Sequence, residues 1–198
     1  MTLRKSGFPL QKIKAAEAGQ LELVTGLFYL LFLGILLCGT LQLDVFRASA
    51  AYLEDALAAS NLASAVIDVE EYGISHSILI RDPQEAYEIY LSALRGNLNL
   101  NEDWECPARG LIGGRVSVLN YTVYNVEEDT VEIYHYDENG QLFVSDGNMG
   151  NVYAPDGKLI ESTSIYSEVT CPVRGIMGVE AQARKSNLAD IVANEQPE

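Results

Sequence analysis

The sequence predicts an α+β protein with a long N-terminal transmembrane helix that continues outside the membrane into a single exported domain. Three observations predict this architecture. Residues 23–43 are 21 consecutive uncharged and mostly apolar residues. Residues 44–69 contain neither Pro nor Gly and are rich in Ala, which is typical of a continuing helix. From residue 115 onward, apolar and polar residues alternate as they do in β-strands.

The apolar run is long enough to cross a bilayer. At 1.5 Å per residue it spans roughly 30 Å, whereas the apolar part of a secretory signal peptide has only about 7–15 residues. The charged residues that precede it are Arg4, Lys5, Lys12, Lys14, Glu17 and Glu22. Because cations are enriched on the cytoplasmic side, we expect residues 1–22 to be a cytoplasmic leader and 23–43 the membrane span. The remainder is then extracellular or periplasmic, with 44–69 continuing the helix and 70–198 forming the exported domain.

The acidity of the chain excludes one class of partner. The formal net charge is −15 and the sequence pI is about 4.4. Of 13 Lys and Arg and 28 Asp and Glu, 9 cations and 26 acids lie beyond the span. Nucleic-acid binding depends on a basic surface, so we expect no nucleic-acid partner.

The helical continuation carries a narrow stripe of small and apolar residues. They recur at spacings of three and four: Leu41, Val45, Ala48, Tyr52, Ala56, Ala59, Ala63 and Val66. Small residues permit close backbone approach. The stripe therefore predicts packing either against the chain's own domain or against copies of the protein, and both alternatives remain open.

A second helix and a set of hairpins follow. Residues 74–80 are predicted to be a short strand or extended segment. Asp82 is a good N-cap, Pro83 suits the first helical turn, and Glu85 completes a capping box, so we expect a helix to about Arg95 that ends at Gly96. Strands are predicted at 115–126, 129–137 and 141–145, with a last strand or pair of strands within 158–173.

Two segments of the exported part repeat each other. Residues 106–113 (CPARGLIG) and 171–178 (CPVRGIMG) match at five of eight positions. Outside the membrane, Cys106 and Cys171 are most simply explained as a disulfide. A zinc site is disfavoured because it needs two more ligands and the only histidines are His76 and His135. Arg109 and Arg174 are expected to be surface cations or to pair with carboxylates, with a ligand site built from both as the alternative.

No catalytic motif accompanies these segments. The sequence contains no nucleophile elbow, phosphate loop or HExxH motif, so we predict no catalytic residue, metal or cofactor. A Gly-punctuated stretch with Asp146, Asn148, Asn151 and Asp156 has oxygen ligands of the kind that Ca²⁺ prefers. It lacks EF-hand spacing, and a solvated surface is the favoured interpretation.

The chain resembles the TadE-like minor pilins or pseudopilins of Tad/Flp-type pilus systems. The resemblance rests on the basic leader, the step Gly19-Gln20-Leu21-Glu22 into a single apolar span, the Ala-rich continuation and the exported α+β domain. The helix start at 82–87 (DPQEAY) and the stretch from 154–157 (APDG) to 164–166 (SIY) are similar to Gram-positive members. The resemblance covers most of the chain as architecture.

This resemblance implies a non-enzymatic role in a pilus or secretion-like assembly. In such proteins a peptidase cuts just before the apolar segment, which places the processing site at Gly19. In the family, a Glu near the new terminus pairs with the amine of a neighbouring subunit. The resemblance assigns this role to Glu22. Glu22 is three residues after Gly19, whereas the family usually has the Glu five residues after the cut. The leader is either cut or retained as an anchor. The alternatives are a membrane-anchored binding or sensor module with a disulfide-stapled domain and, third, a membrane-tethered enzyme.

Overall fold

The computed structural model describes residues 10–106 and 110–192, with side chains from residue 21 onward except that of Met177. Within these residues the chain forms three α-helices and five β-strands, and the α+β class is confirmed. The helices are α1 (Leu10–Ser64), α2 (Val69–Ser75) and α3 (Pro83–Asn97). The strands are β1 (Ser117–Glu127), β2 (Thr130–Tyr136), β3 (Leu142–Asn148), β4 (Ser164–Arg174) and β5 (Glu180–Asp190).

The chain divides into two units, residues 1–44 and 45–198. In the first unit the apolar side chains of α1 are exposed, with Leu23, Leu27 and Phe28 at 71%, 62% and 69% exposure. Among the described residues, one helical stretch, Leu21–Ser64, is long and apolar enough to cross a membrane. Such extensive apolar exposure is unusual for a surface in water and typical of one in lipid.

The second unit is built on one antiparallel sheet. The strand order is β3-β2-β1-β4-β5, so β1 lies at the centre and β3 and β5 form the edges. β1 and β2 form a hairpin whose last pair is Glu127 with Thr130, and Glu128 adopts a left-handed φ of 51° in the turn. The register between β1 and β4 shifts between Val118 and Asn120.

One face of this sheet is covered by α3 and by the part of α1 that belongs to the second unit. The residues of α1 buried there are Ser49, Leu53, Ala56, Leu57, Ser60, Asn61 and Ser64. The Asn61 amide donates hydrogen bonds to the carbonyl oxygen and to Oδ1 of Asn187, at 3.1 and 3.0 Å. Tyr121 of β1 donates to Ser64 Oγ at 3.0 Å. Of the two alternatives for this helix, packing against the chain's own domain is therefore observed.

The predicted stripe is rotated away from the face that packs. Ala56 is buried, but Ala48, Ala59, Ala63 and the other members apart from the half-buried Val45 are exposed. The spacing of apolar residues did not identify the buried face of α1, because several of the residues on that face are serines. Their hydroxyls bond back to the helix, as Ser60 Oγ does to the Ala56 carbonyl oxygen at 2.6 Å, so they are buried at little cost.

The segment between the two long helices differs from the prediction. α1 ends at Ser64 rather than near residue 69, and residues within the predicted strand belong instead to α2. Asp68 caps α2 by accepting hydrogen bonds from the backbone N–H groups of Glu70 and Glu71. Ile80 does lie in extended structure, since it bridges to Ile67, and the Asn125 side chain bonds both its N–H and its carbonyl.

The capped helix is confirmed. Asp82 Oδ1 accepts from the backbone N–H groups of Gln84 and Glu85 at 2.9 and 3.1 Å, and Pro83 opens α3. The helix ends at Asn97, one residue beyond the predicted Gly96. Its buried residues are Ala86, Tyr90 and Leu94, which recur at a spacing of four and so lie on one face of the helix.

The first three predicted strands correspond to β1, β2 and β3. In the last predicted segment, only the part from Ser164 is a strand, and β5 was not predicted. β5 has no clear apolar alternation, and its register is set by full-length pairing with β4. On the other face of the sheet, Ala154 and Ile160 pack on Tyr124, Val131 and Tyr166 as a second small core.

Candidate functional site

The described residues of the first repeat, 106 and 110–113, lie beside the second repeat in the folded domain. Ile112 and Val173 form an antiparallel bridge. The Gly113 N–H donates to the Pro172 carbonyl oxygen at 2.7 Å, and the Arg174 N–H donates to that of Leu111 at 3.0 Å. We call residues 106, 110–114 and 171–175 the repeat junction. The sequence repeat thus has a structural counterpart, a short ladder that extends β4 beyond its pairing with β1.

At one position of the junction, Gly114, the Pro172 ring leaves too little room for a Cβ atom. A Cβ atom added to Gly114 would lie 2.9 Å from Pro172 Cγ, inside normal contact distance. A Cβ added to Gly113 would lie 3.4 Å from Arg174 Cβ. Gly114 therefore permits the segment before β1 to lie against Pro172.

Both cysteines of the repeats lie in one hydrophobic cluster as free thiols. Cys171 is fully buried on β4, and Cys106 is half-buried beside the same core. Burial, together with the neighbouring Cys106, raises the pKa of Cys171 to about 11. Burial also raises the pKa of Cys106, although Arg174 and the Ile112 backbone oppose this. The predicted disulfide is not formed in this structure, but the two cysteines are close enough to interact electrostatically.

The raised pKa values of Cys106 and Cys171 affect the reactivity of the two thiols. A thiol acts as a nucleophile as its thiolate, and reactive cysteines have lowered pKa values. Here both pKa values are raised above the ordinary thiol range, so little thiolate forms at neutral pH.

Arg174 ties the junction together. Its Nη2 donates to the Gly113 carbonyl oxygen at 3.0 Å, and its Nε lies 3.6 Å from Glu180 Oε1. The contact with Glu180 is a carboxylate pairing of the kind expected for Arg174. Arg109 lies outside the described residues, so the two-arginine ligand site is not tested.

The residues expected to act in processing and assembly lie on α1. Gly19 is within the helix, and Glu22 is exposed just before the apolar stretch. Their predicted roles remain predictions.

The remaining polar candidates are scattered through the second unit. His76 ends α2 with a left-handed φ of 58°. The ring of His135 has Nδ1 3.1 Å from both Thr122 Oγ1 and Asn120 Oδ1. In the stretch suggested for Ca²⁺, Asp156 pairs with Lys158 at 3.4 Å. Within the part of the chain that the structure describes, no group of three or more His, Cys, Asp or Glu side chains is arranged to hold a metal ion.

A cleft that the sequence did not reveal opens beside the repeat junction. We call it the Trp104 cleft. It has a volume of about 450 Å³ and includes Tyr87, Trp104, Arg115, Ser117, Glu138 and Asn139 in its lining. One signal in the sequence was available, since Trp104 is the only Trp of the chain and stands among acidic residues in a loop.

The sequence and the structure were compared with known proteins. No protein-family model, curated protein or solved structure matches this chain.

Proposed function

We propose that this protein is a non-enzymatic, membrane-anchored subunit of a pilus-like or secretion-like assembly of the TadE-like kind. The observation that carries the proposal is the composition of α1. One helix has exposed apolar side chains in its first part and a buried, serine-rich face in the unit that holds the sheet. A stalk-like subunit needs both features, because an anchor alone would not require the helix to be part of the folded core.

The proposed topology follows from charge. The leader carries Arg4, Lys5, Lys12 and Lys14, so the N-terminus remains in the cytoplasm and the acidic second unit faces outward. Labelling with a membrane-impermeant maleimide tests this in intact cells, using Thr2→Cys and Glu161→Cys in a background with Cys38→Ser, Cys106→Ser and Cys171→Ser, so that only the introduced thiol can react. We expect label at position 161 alone. Label at position 2 alone would show that the topology is the reverse of the one proposed.

In the proposed assembly, Glu22 pairs with the amine of a neighbouring subunit. A carboxylate close to lipid is unfavourable unless it is paired or reaches the interface, so a partner's amine would stabilise it. Chemical cross-linking in native membranes tests this role. We expect cross-linked species with the natural chain, substantially fewer with Glu22→Gln, and no change with the control Glu17→Gln in the leader. Monomer alone with all three proteins would contradict the proposed assembly.

Intact-mass spectrometry of the membrane-extracted protein examines maturation separately. Loss of residues 1–19 would support pilin-type processing after Gly19. A full-length chain would show that the leader is retained as an anchor, which is the other form of the proposal.

We also propose that Cys106 and Cys171 form a disulfide after export. Each thiol loses one proton and one electron to an external disulfide oxidant, such as a thiol oxidase, and the new bond links the segment before β1 to β4. The bond would stabilise the domain mainly by restricting the unfolded chain, by about 3–5 kcal/mol for a loop of this length.

Thiol counting after denaturation tests this bond. The chain has three cysteines, so the oxidised protein should label only at Cys38 and the reduced protein at all three. The matched control is Cys106→Ser, which should label at both remaining cysteines without reductant. Three labelled thiols in freshly extracted natural protein would contradict the proposal.

A further inference from the structure

We propose that the Trp104 cleft is a binding site for a neutral saccharide. The cleft lies between α3, the loop before β1 and the β2–β3 turn, and its volume of about 450 Å³ is within the range of small-ligand sites. This inference does not depend on the proposed assembly role. It assigns a separate binding activity to the exported domain.

The aromatic walls of the cleft are held by the core behind them. Tyr87 stacks on the buried Tyr136, with ring centroids 4.3 Å apart and an interplanar angle of 15°. Its ring also lies 5.3 Å from that of Tyr121. The half-buried Trp104 packs against the same core. Rigid aromatic surfaces suit a ligand that has an apolar face, as a pyranose ring does.

Trp104 is held in a conformation that a bulky side chain seldom adopts. Its φ is 63°, in the left-handed region that costs on the order of 1 kcal/mol for a residue with a Cβ atom. Hydrogen bonds maintain it: Asn101 Oδ1 accepts from the N–H groups of Asp103 and Glu105, and the Val116 N–H donates to the Trp104 carbonyl oxygen at 2.9 Å. The loop therefore fixes the backbone of Trp104, whose side chain is part of the cleft lining.

The polar groups of the cleft offer both donors and acceptors. Within the described residues, neither Arg115 nor Glu138 forms an ion pair or a side-chain hydrogen bond. Arg115 supplies donors, and the carboxylate of Glu138 supplies acceptors. Asn139 adds an amide on the β2–β3 turn, which Asp137 rigidifies by accepting from the N–H groups of Asn139 and Gln141.

This combination matches hydroxyl groups better than it matches a single charge. Each hydroxyl both donates and accepts, so neighbouring hydroxyls can satisfy a guanidinium and a carboxylate together. An anionic ligand would leave Glu138 opposed to it, and the net charge of −15 would repel it further. A zwitterionic dipeptide is the competing ligand, since it would also satisfy the charges of Arg115 and Glu138, and the experiment compares the two ligands.

Because Trp104 is the only Trp of the sequence, its fluorescence reports directly on ligand binding in the cleft. Full-length protein is placed in phosphatidylglycerol nanodiscs, which avoid detergents with sugar headgroups, and Trp104 emission is followed while a neutral N-acetylglucosamine oligomer is added. We expect a saturable change in emission with weak affinity. A dipeptide titrated under the same conditions provides the comparison.

Variants show whether the response arises in the cleft. Arg115→Gln and Glu138→Gln should each weaken saccharide binding at least about tenfold, the loss of a charge-assisted hydrogen bond. Glu161→Gln, at an exposed position away from the cleft, should leave it unchanged. Circular dichroism confirms that each variant is folded. An emission change that is linear and non-saturable, is equal in all four proteins, or arises only with the dipeptide would overturn the proposal.

Discussion

At the scale of single residues, polar side chains carry much of the specificity of this core. Asn61 is fully buried on α1, yet its amide reaches both strands at one end of the sheet, with bonds to Asn187 and a longer one of 3.5 Å to the Ile165 carbonyl oxygen. A buried polar group of this kind is stable only while its partners are in place.

We therefore expect Asn61→Ala to destabilise the second unit by about 2–3 kcal/mol. The change leaves the Asn187 acceptors without their donor and opens a small cavity. Urea unfolding of the full chain in nanodiscs measures the effect. Ala63→Ser, on the exposed face of the same helix, is the control and should change stability by less than about 0.5 kcal/mol. Equal effects of the two substitutions would contradict the assigned packing face.

Tyrosines make the domain sensitive to alkali. Burial raises the pKa of Tyr124 from 10.0 to about 12, and burial likewise raises the pKa of Tyr90 and Tyr121. In the unfolded chain these phenols ionise at their ordinary pKa, while the native state keeps its protons. The stability that they contribute is thus complete below that pKa and is lost as pH rises toward the folded value.

Tyr124→Phe should reduce this alkaline loss of stability. Between about pH 9 and pH 12 we expect the natural protein to lose roughly 2 kcal/mol more than the variant, because a shift of one pKa unit corresponds to about 1.4 kcal/mol. Unfolding curves at each pH provide the measurement. Tyr153→Phe, at a side chain 60% exposed, should follow the natural protein. A Tyr124→Phe curve parallel to that of the natural protein would contradict the role of Tyr124.

At the scale of elements, α1 has two different faces within the second unit. Ala56 is 5% exposed against the sheet, whereas Ala59, less than one turn later, is exposed. The same residue type on one helix thus gives a matched pair of positions.

Ala56→Leu should destabilise the domain by about 1–3 kcal/mol, since the added carbons overpack a close helix–sheet contact. Ala59→Leu should be nearly neutral, because Leu is a good helix former and the position has room. Thermal unfolding followed by circular dichroism distinguishes the two. If Ala59→Leu were instead the more damaging, the predicted stripe would be the packing face after all.

At the scale of the whole molecule, charge is the dominant feature. Residues 44–198 carry 9 Lys and Arg against 26 Asp and Glu, so this part of the chain repels itself. Among the described residues, ion pairs such as the one between Arg174 and Glu180 are solvent-exposed. Exposed pairs of this kind contribute little to stability.

Added salt should therefore raise the melting temperature by a few degrees. Increasing ionic strength from about 0.01 M to about 1 M shortens the screening length from about 30 Å to about 3 Å, which weakens the repulsion. A Glu127→Gln, Glu128→Gln double variant carries less charge and should respond less. A melting temperature that falls with salt would mean that the ion pairs outweigh the repulsion.

The sequence by itself determined the parts whose causes are local. The apolar run, the Asp82 cap, the Pro83 start and the alternating hairpin strands were predicted because each depends on residues a few positions apart. The nearness of the two cysteines was also anticipated, although only through the internal repeat.

Tertiary structure alone decided which face of α1 is buried, the existence of β5 and the composition of the Trp104 cleft. Hydrogen bonds over long separations made the serine and asparagine face of α1 the buried one. β5 has little strand signal of its own and is fixed by its neighbour β4. The cleft is lined by side chains from α3, a loop and a hairpin turn. These residues are far apart in the sequence, so no local pattern predicts that they lie together.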